Sequence, residues 1–397
     1  MNRKIPFSAC IVLMLITAIF TYQITFISDQ ERYVDKVASI TQSPSDDPKL
    51  SEVKYYVNNY FVKDYDKKYV NDAAVIGYIV GLQDPHSSYF TKEQFDELND
   101  TTKGGATGIG IRIFNNLNTN EMTIFEVVDG SPAKEAGIQK ADVIVAVNDK
   151  PYSELGYEGA YLELLGNEGE SVDITLKRGE EEIRITIVRR HFEQQTVTYK
   201  LCDTASNVGY VKIFSFDLGT TEQFKNAIEK LLEMGATSFI FDVRSNPGGT
   251  LDSVSKVLDY LLPAGPIIRM VSKTGETEII KSDSAELSAP MVVLANSSSA
   301  SAAELFTSAL MDYNKATFIC NKTYGKGTIQ TSFKLSDGSG IRISTQYYLP
   351  PFSASFDGLG IEPDIEISIS EENLAIFYLL TETQDEQLSA AIDYLKQ

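Results

Sequence analysis

Ser238-Phe-Ile-Phe-Asp-Val243 runs directly into Arg244-Ser-Asn-Pro-Gly-Gly249, an almost wholly apolar segment followed by a tight turn. A short continuous apolar run is typical of a strand that lies inside a sheet covered on both faces. Pro290-Met-Val-Val-Leu-Ala295 repeats this pattern and is followed by serines and a helical segment, Ala302 to Asp312. Strands that alternate with helices predict a layered α/β domain.

A candidate catalytic pair lies beyond these strands, and open α/β sheets place their sites at the carboxyl ends of strands. Ser301 follows the second strand and opens a helix, whose first N–H groups lack partners within the helix. Lys326 lies between two glycines in Tyr324-Gly-Lys-Gly327. The chain holds only two histidines, so few residues could serve as the base of a Ser-His-Asp triad. We therefore favour a serine–lysine pair as nucleophile and base.

Each half of this pair also has a structural interpretation. Ser301-Ala-Ala-Glu304 has the pattern of a capping box, in which the serine only caps the helix. Ser297, Ser298 and Ser299 compete for the role of nucleophile. Lys326 could be an exposed loop residue, and it is a general base only if burial or a positive neighbour lowers its pKa from about 10.4.

The sequence pattern changes at Lys103-Gly-Gly, after which several short strands are predicted. Gly108-Ile-Gly-Ile111 and Ser131-Pro-Ala-Lys-Glu-Ala-Gly137 resemble the corresponding motifs of a PDZ domain. A glycine-rich loop can aim backbone N–H groups at a chain-terminal carboxylate, and the peptide then adds a strand to the sheet. The sequence therefore predicts peptide binding by four residues: Gly108, Ile109, Gly110 and Ile111.

Together, the motifs resemble those of the carboxyl-terminal processing (tail-specific) serine proteases. The matching segments run from Asp84-Pro-His-Ser-Ser-Tyr-Phe90 to Gly360-Ile-Glu-Pro-Asp364 and cover most of the chain. The resemblance implies a multidomain α/β protein with a crotonase/Clp-protease-like α/β core, an inserted β-rich PDZ domain and a small N-terminal helical region. It implies an endopeptidase that needs no cofactor and no metal, acting on proteins or peptides with exposed C-termini.

The same resemblance assigns individual roles. It places the nucleophile at Ser301, the base at Lys326 and a third polar residue at Gln330. It makes the turn after Asp242 the oxyanion loop, with Ala302 and either Gly248 or Gly249 as donors. Two departures from the family pattern, Ala303 for a serine and Ala141 for a glycine, remove no catalytic group.

The N-terminus predicts a membrane anchor. Arg3 and Lys4 precede an apolar run from Ile5 to Ile27, and roughly 20 such residues span a bilayer as a helix. The positive flank favours the cytoplasmic side, which places the rest of the chain outside. No clear cleavage site follows, so we expect a single-pass cell-membrane protein with an extracytoplasmic catalytic part in preference to a secreted one.

Composition excludes other classes of partner. A net charge of −20 leaves no basic surface for nucleic acid. Two histidines and three scattered cysteines argue against a zinc site. Tyrosine-rich helices before the PDZ-like region are consistent with a homodimer or with packing on their own core.

The predicted division of the chain is a transmembrane helix at 1–28, a linker and helical region at 29–102, a PDZ domain at 103–190, a catalytic core at 191–370 and a C-terminal helix at 371–397. Three other functions stay open. The first is an inactive relative that only captures protein tails, the second a crotonase-like enzyme acting on acyl thioesters, and the third a histidine-based hydrolase.

Overall fold

The computed structural model describes residues 48–100, 106–116, 118–283 and 286–396. The predicted membrane segment, Ile5 to Ile27, lies outside these residues. In the part that is described, no helix is long and apolar enough to cross a membrane. The chain divides into two compact units, residues 1–71 and 72–397.

The described elements are numbered in chain order. The helices are α1 (Pro48–Tyr60), α2 (Lys67–Val80), α3 (Lys92–Asp100), α4 (Pro132–Glu135), α5 (Tyr152–Leu164), α6 (Thr220–Glu233), α7 (Leu251–Leu261), α8 (Ala302–Asp312), α9 (Glu371–Leu374) and α10 (Glu386–Leu395). The strands are β1 (Ser88–Phe90), β2 (Ala106–Gly108), β3 (Ile111–Asn116), β4 (Glu121–Val127), β5 (Val143–Val147), β6 (Lys150–Pro151), β7 (Ser171–Arg178), β8 (Glu181–Val188), β9 (Arg190–Phe192), β10 (Val197–Cys202), β11 (Ala205–Ile213), β12 (Ser238–Asp242), β13 (Gly265–Ser272), β14 (Thr277–Ser282), β15 (Met291–Ala295), β16 (Ala316–Cys320), β17 (Thr328–Lys334), β18 (Gly340–Leu349) and β19 (Ile365–Glu366).

In the first unit, α1 carries the predicted cluster of tyrosines. The ring centroids of Tyr55, Tyr56 and Tyr60 lie 5.7–6.4 Å from one another. All three side chains are more than half exposed. The tyrosine-rich helix is therefore present, with its aromatic side chains largely in solvent.

The core of the second unit is a six-stranded sheet in the order β10-β11-β12-β15-β16-β19. Only β10 runs antiparallel to its neighbour. Every residue of β12 and β15 is buried, because the segments that link the parallel strands and the C-terminal helix α10 pack on them. The layered α/β core predicted from these two strands is confirmed. Their carboxyl ends lie side by side, since Asp242 pairs with Leu294.

A second sheet packs against helices α7 and α8 of the core through β13 and β14. Its order is β1-β18-β13-β14, and β17 also pairs with β18. The strand β1 was expected to be part of a purely helical region, but it adds to β18 with Ser88 opposite Arg342. This pairing joins residues more than 250 positions apart, so no local pattern indicates it.

The β-rich domain has its own hydrophobic core, separate from that of the α/β domain. Its sheet has the order β3-β4-β5-β7-β8, with β6 added to β5, and β2 pairs with β9. Helix α5 packs on this domain and was not expected from the sequence, because Gly156 interrupts its periodicity with a φ of 65°. Strand β3 is an edge strand of its sheet.

The C-terminal segment differs from the single predicted helix. It forms α9, a 3₁₀ turn at Phe377–Leu379, and α10. Asp385 caps α10 by accepting hydrogen bonds from the N–H groups of Gln387 and Leu388. The cap side chain starts a new helix at this point, as short acidic residues do at N-cap positions.

Candidate active site

Ser301 immediately precedes α8 and has a strained backbone. Its φ of 57° and ψ of −119° lie in a region that costs a residue with a side chain about 1–3 kcal/mol. Strain of this kind holds nucleophilic serines on sharp strand-to-helix turns in other hydrolases. Of the four neighbouring serines, Ser297 and Ser298 are exposed, and the hydroxyl of Ser299 donates to the Val243 carbonyl.

The strain predicts opposite effects of glycine at two adjacent positions. Ser301→Gly is expected to be about 1 kcal/mol more stable than Ser301→Ala, because glycine adopts positive φ without a Cβ clash. Ala300 has no positive φ, so Ala300→Gly should destabilise the protein instead. Denaturant unfolding measures both; equal stability of the two Ser301 variants would show that this backbone is not strained.

Glu304 joins the two loops that carry the candidate pair. Its side chain is fully buried. One carboxylate oxygen, Oε2, accepts the backbone N–H groups of Ser301 at 2.9 Å and Lys326 at 2.8 Å. The other, Oε1, accepts the N–H of Gly325 and the hydroxyl of Thr323, both at 2.6 Å. The capping-box geometry predicted at Ser301 is therefore present, and the same glutamate fixes the lysine loop beside it.

Lys326 is half-buried beside Ser301. Burial lowers the pKa of its ammonium group below the ordinary value, and the positive charge of Arg342 lowers it further. The carboxylate of Asp84 acts in the opposite direction. The net effect makes the neutral amine, the form that can accept a proton, more accessible than in an exposed lysine.

The turn after β12 packs directly against Ser301. A Cβ on Gly248 would lie 2.7 Å from the Cβ of Ser301, so only glycine fits here. The Gly248 N–H already donates to Asn246 Oδ1 at 2.8 Å. By contrast, no acceptor for the N–H groups of Gly249 and Ala302 is found among the described residues.

One cavity of about 490 Å³ brings most of the predicted site together. Its lining includes Ser301, Lys326, Gln330, Gly249 and Ala302. Gly248 lies behind this surface and lines a neighbouring cavity instead. The chain thus assembles a hydroxyl, an amine and two open N–H groups at one place, as acyl transfer requires.

Gln330 and Tyr348, which both line this cavity, are held by hydrogen bonds. The Gln330 amide donates to the Thr328 carbonyl and hydroxyl and to the Ser344 hydroxyl, with no hydrogen bond to Lys326 in the described structure. The Tyr348 hydroxyl donates to the Lys326 carbonyl at 2.5 Å. Burial raises the pKa of Tyr348 despite a hydrogen bond with Ser301, so this phenol stays protonated.

A buried ionic network holds the strand end from which the glycine turn starts. The Arg244 guanidinium contacts both Asp242 and Asp385, and Lys212 contacts Asp242 at 3.0 Å. Burial alone would raise the pKa of Asp242, but the adjacent charges of Arg244 and Lys212 hold it well below its ordinary value. These paired charges fix the turn from behind and tie it to α10.

In the β-rich domain, the predicted peptide-binding loop is held from one side. The carbonyl of Ile109 accepts the N–H of Ala133, and the carbonyl of Gly110 accepts that of Val128. No acceptor for the N–H groups of Ile109 and Gly110 is found in the described part of the chain. Ile111 begins the edge strand β3, so loop and edge form one continuous set of backbone groups.

Binding of a metal ion requires a group of suitable side chains. Among the described residues, no set of three or more histidine, cysteine, aspartate or glutamate side chains could hold a metal ion.

Comparisons with known proteins identify the family of the chain. The model of Peptidase family S41 matches residues 207–367, and a PDZ domain model matches residues 123–178. The "Probable CtpA-like serine protease" of Staphylococcus aureus (strain COL) is 32% identical over 89% of this chain and 70% of its own length. The protein of that name from Staphylococcus haemolyticus is 32% identical, covering 92% of this chain and 74% of the relative.

The chain belongs to the carboxyl-terminal processing serine peptidases of family S41. Its fold is also similar to that of the photosystem II D1 C-terminal processing protease, with a TM-score of 0.54, 23% identity, and coverage of 85% of this chain and 92% of the other. The S41 match includes Ser301, Lys326 and Gln330, whereas the loop from Gly108 to Ile111 precedes the PDZ match.

Several residues around this site were not predicted from the sequence. Asp84, Arg342 and Tyr348 reach it through the pairing of β1 and β17 with β18, and no local pattern could identify them. Glu304 was recognised only as a helix cap. Its exact spacing from Ser301 gave the signal, but its second set of partners lies in a different loop.

Proposed function

We propose that this S41 peptidase is a serine endopeptidase in which Ser301 is the nucleophile and Lys326 the general base. It would cleave exported or membrane proteins whose C-terminal tails are held by the PDZ domain. The observation that carries the proposal is the Glu304 carboxylate. By accepting the backbone N–H groups of both Ser301 and Lys326, it holds a strained serine and a lysine of lowered pKa on one cavity.

The proposed reaction begins when neutral Lys326 removes the proton of the Ser301 hydroxyl. The alkoxide attacks the scissile carbonyl, and the carbonyl π electrons move onto its oxygen. When the tetrahedral intermediate collapses, the C–N bond breaks and the Lys326 ammonium protonates the leaving amine. Water, deprotonated by Lys326, then attacks the acyl carbonyl; the bond to the Ser301 oxygen breaks, the Lys326 ammonium returns the proton to that oxygen, and the product leaves with a new C-terminal carboxyl group.

We assign the oxyanion donors to Gly249 and Ala302. Both residues line the cavity, and their N–H groups have no acceptor among the described residues. The Gly248 N–H is engaged with Asn246, and its role is to let the loop approach Ser301. Two preorganised N–H donors of this kind stabilise the charge that develops on the carbonyl oxygen.

Gln330 is proposed to orient Lys326, as the family resemblance implies, although its amide nitrogen is held by Thr328 and Ser344. Its Oε1 atom is therefore the group that would accept a hydrogen bond from the lysine. Tyr348 supports the same geometry by binding the Lys326 carbonyl.

The pH dependence provides a test of the base. Asp84 raises the pKa of Lys326, so removal of its charge lowers that pKa and increases the neutral fraction at a given pH. In Asp84→Asn, the acid limb of the kcat/KM profile is expected to move to lower pH by about 0.5 unit. Asp203→Asn, at an exposed aspartate that does not line the cavity, should leave the profile unchanged. A shift to higher pH would contradict Lys326 as the base.

The PDZ domain is proposed to bind substrate tails. The N–H groups of Ile109 and Gly110 would receive the terminal carboxylate, with Gly108 and Ile111 shaping the loop, and the tail would pair with the open edge of β3. Main-chain pairing gives affinity for many sequences, which suits an enzyme that recognises exposed tails.

The function is tested with an unstructured polypeptide that ends in an apolar tail, prepared with either a free C-terminal carboxylate or a C-terminal amide. We expect the wild-type enzyme to cleave both and to degrade the carboxylate form at lower substrate concentration. Ser301→Ala should cleave neither. If Ser301→Ala degrades the substrate as fast as the wild type, the catalytic assignment is wrong; thioester turnover without peptide cleavage would favour a crotonase-like reaction.

We also propose that the run from Ile5 to Ile27 anchors the enzyme in the cell membrane, with the catalytic part outside the cytoplasm. The support is the length of the apolar run and its positive flank at Arg3 and Lys4. Release of the full chain from membranes by high salt alone would contradict an anchor.

A further inference from the structure

The active-site cavity has an unusual charge for this chain. The whole protein carries a net charge of −20. The cavity lining nevertheless contains two cationic side chains, Lys326 and Arg342, and no aspartate or glutamate. In the proposed reaction Lys326 is neutral, which leaves the Arg342 guanidinium as the permanent charge of the cavity. The charged side chains that line the cavity are therefore cationic, although the chain as a whole is anionic.

Arg342 is held in the sheet but leaves most of its hydrogen-bond donors unused. It lies on β18 between Ser88 of β1 and Ser332 of β17. Its Nε donates to the Ser332 hydroxyl at 3.4 Å, and its guanidinium carbon lies 5.6 Å from the centre of the Phe90 ring. A guanidinium has five N–H donors, so these contacts leave the end of the side chain open to a ligand.

The other described arginines are satisfied differently. Each of them pairs with a carboxylate or donates to at least two backbone carbonyls; they are Arg112, Arg178, Arg184, Arg189, Arg190, Arg244 and Arg269. Among the described residues, Arg342 has neither kind of partner. An arginine without an acidic partner in a cavity that binds substrate is suited to bidentate recognition of a carboxylate.

We propose that Arg342 binds a carboxylate of the substrate next to the scissile bond and so determines which bonds are cleaved. The inference rests on the proposed endopeptidase function, because it names the substrate group that the same cavity accepts. The carboxylate belongs either to an aspartate or glutamate side chain or to the chain terminus left close to the cleavage site. Both present two oxygens in a plane that matches the guanidinium fork.

A packing role for Arg342 makes a different prediction. If the side chain only rests on Phe90 and lowers the pKa of Lys326, its removal slows all substrates equally. If it also binds a carboxylate, its removal slows the substrates that carry one by a further factor. The ratio of kcat/KM for two substrates of the same enzyme separates these roles, because the effect on Lys326 cancels from the ratio.

The first arm of the experiment uses peptides with an amidated C-terminus, so that no terminal carboxylate is present. They differ only by glutamate or glutamine at each position flanking the cleavage site. The second arm compares one glutamine peptide with a free or an amidated C-terminus close to that site. Both arms are measured with wild type, Arg342→Gln, Arg342→Lys, and Arg184→Gln as a control at an exposed arginine outside the cavity.

We expect the wild type to prefer the carboxylate form in at least one arm by about ten-fold or more, the range of a hydrogen bond to a charged group. Arg342→Gln should reduce that ratio to within about two-fold of unity, Arg342→Lys should retain part of it, and Arg184→Gln all of it. Thermal unfolding confirms that the variants are folded. If Arg342→Gln does not fold, Arg342→Lys still provides the test.

Every other outcome overturns the inference. A wild-type enzyme without a carboxylate preference, or a preference that Arg342→Gln retains, shows that Arg342 does not bind the substrate; a retained preference for the free terminus would belong to the PDZ loop. In both cases Ser301-dependent cleavage continues, and the proposed function stands. If no peptide is cleaved in a Ser301-dependent manner, the proposed function fails and the inference fails with it.

Discussion

Replacing Lys326 with alanine is expected to lower kcat/KM for an unstructured peptide by about 10²- to 10⁴-fold, the contribution of a positioned general base. The half-buried amine already bears a desolvation cost, so its removal should leave the free energy of unfolding nearly unchanged. Activity and stability are therefore expected to separate completely. Initial rates and denaturant unfolding on the same preparation measure both quantities.

The matched control is Lys322→Ala. Lys322 lies four positions earlier on the same loop and forms an exposed ion pair with Glu362. Its removal should change neither activity nor stability by a measurable amount, because exposed ion pairs contribute about 0–1 kcal/mol. An active Lys326→Ala variant, or an equal loss in both variants, would mean that the loop and not the amine is required.

Replacing Glu304 with alanine is expected to damage both the site and the fold. The change leaves three backbone N–H groups and the Thr323 hydroxyl without their shared acceptor in a buried place. Each unsatisfied donor costs about 1–3 kcal/mol. We therefore expect a loss of more than about 3 kcal/mol in stability and at least about 100-fold in kcat/KM, because Ser301 and Lys326 lose their common support.

Two milder variants resolve this effect. Thr323→Val removes one of the four donors and also the acceptor of the Ile361 N–H, so it should cost about 1–3 kcal/mol with a small loss of activity. Glu304→Gln keeps the side-chain volume but presents an amide NH₂ to groups that are themselves donors. Its losses of stability and activity should therefore lie between those of Thr323→Val and Glu304→Ala. Wild-type activity and stability in Glu304→Ala would contradict the role assigned to this carboxylate.

The parts of the fold that the sequence predicts are those with a strong local pattern. The apolar runs of β12 and β15 indicate buried parallel strands, and the glycine turn and Ser301 mark their carboxyl ends. Buried strands of this kind can be recognised without long-range information, because a fully buried strand is apolar at nearly every position. The same holds for the glycine-rich loop before β3.

Other features depend on contacts between distant segments. The pairing of β1 with β18 brings Asp84 and Arg342 to Lys326, and it is established only when the second sheet assembles. Helix α5 was not predicted because Gly156 interrupts its helical pattern. The C-terminal segment begins a new helix at Asp385, which contacts Arg244, a residue 141 positions away.

The choice between the two glycines of the turn illustrates the limit most clearly. The motif leaves Gly248 and Gly249 equivalent as oxyanion donors. Their difference depends on whether an N–H is already engaged, and the Asn246 side chain engages that of Gly248. Likewise, the sequence predicts a serine at a helix start, but not its φ of 57°.

The proposed mechanism makes Ser301 the nucleophile of a peptidase that does not use histidine. It is tested most directly by the cleavage rate of one unstructured peptide with wild type, Ser301→Ala and the double variant His86→Gln/His191→Gln, since neither histidine lines the cavity. We expect the double variant to retain activity near that of the wild type and Ser301→Ala to have none. Activity in Ser301→Ala would exclude Ser301 as the nucleophile, and loss of activity in the double variant would show that a histidine is required.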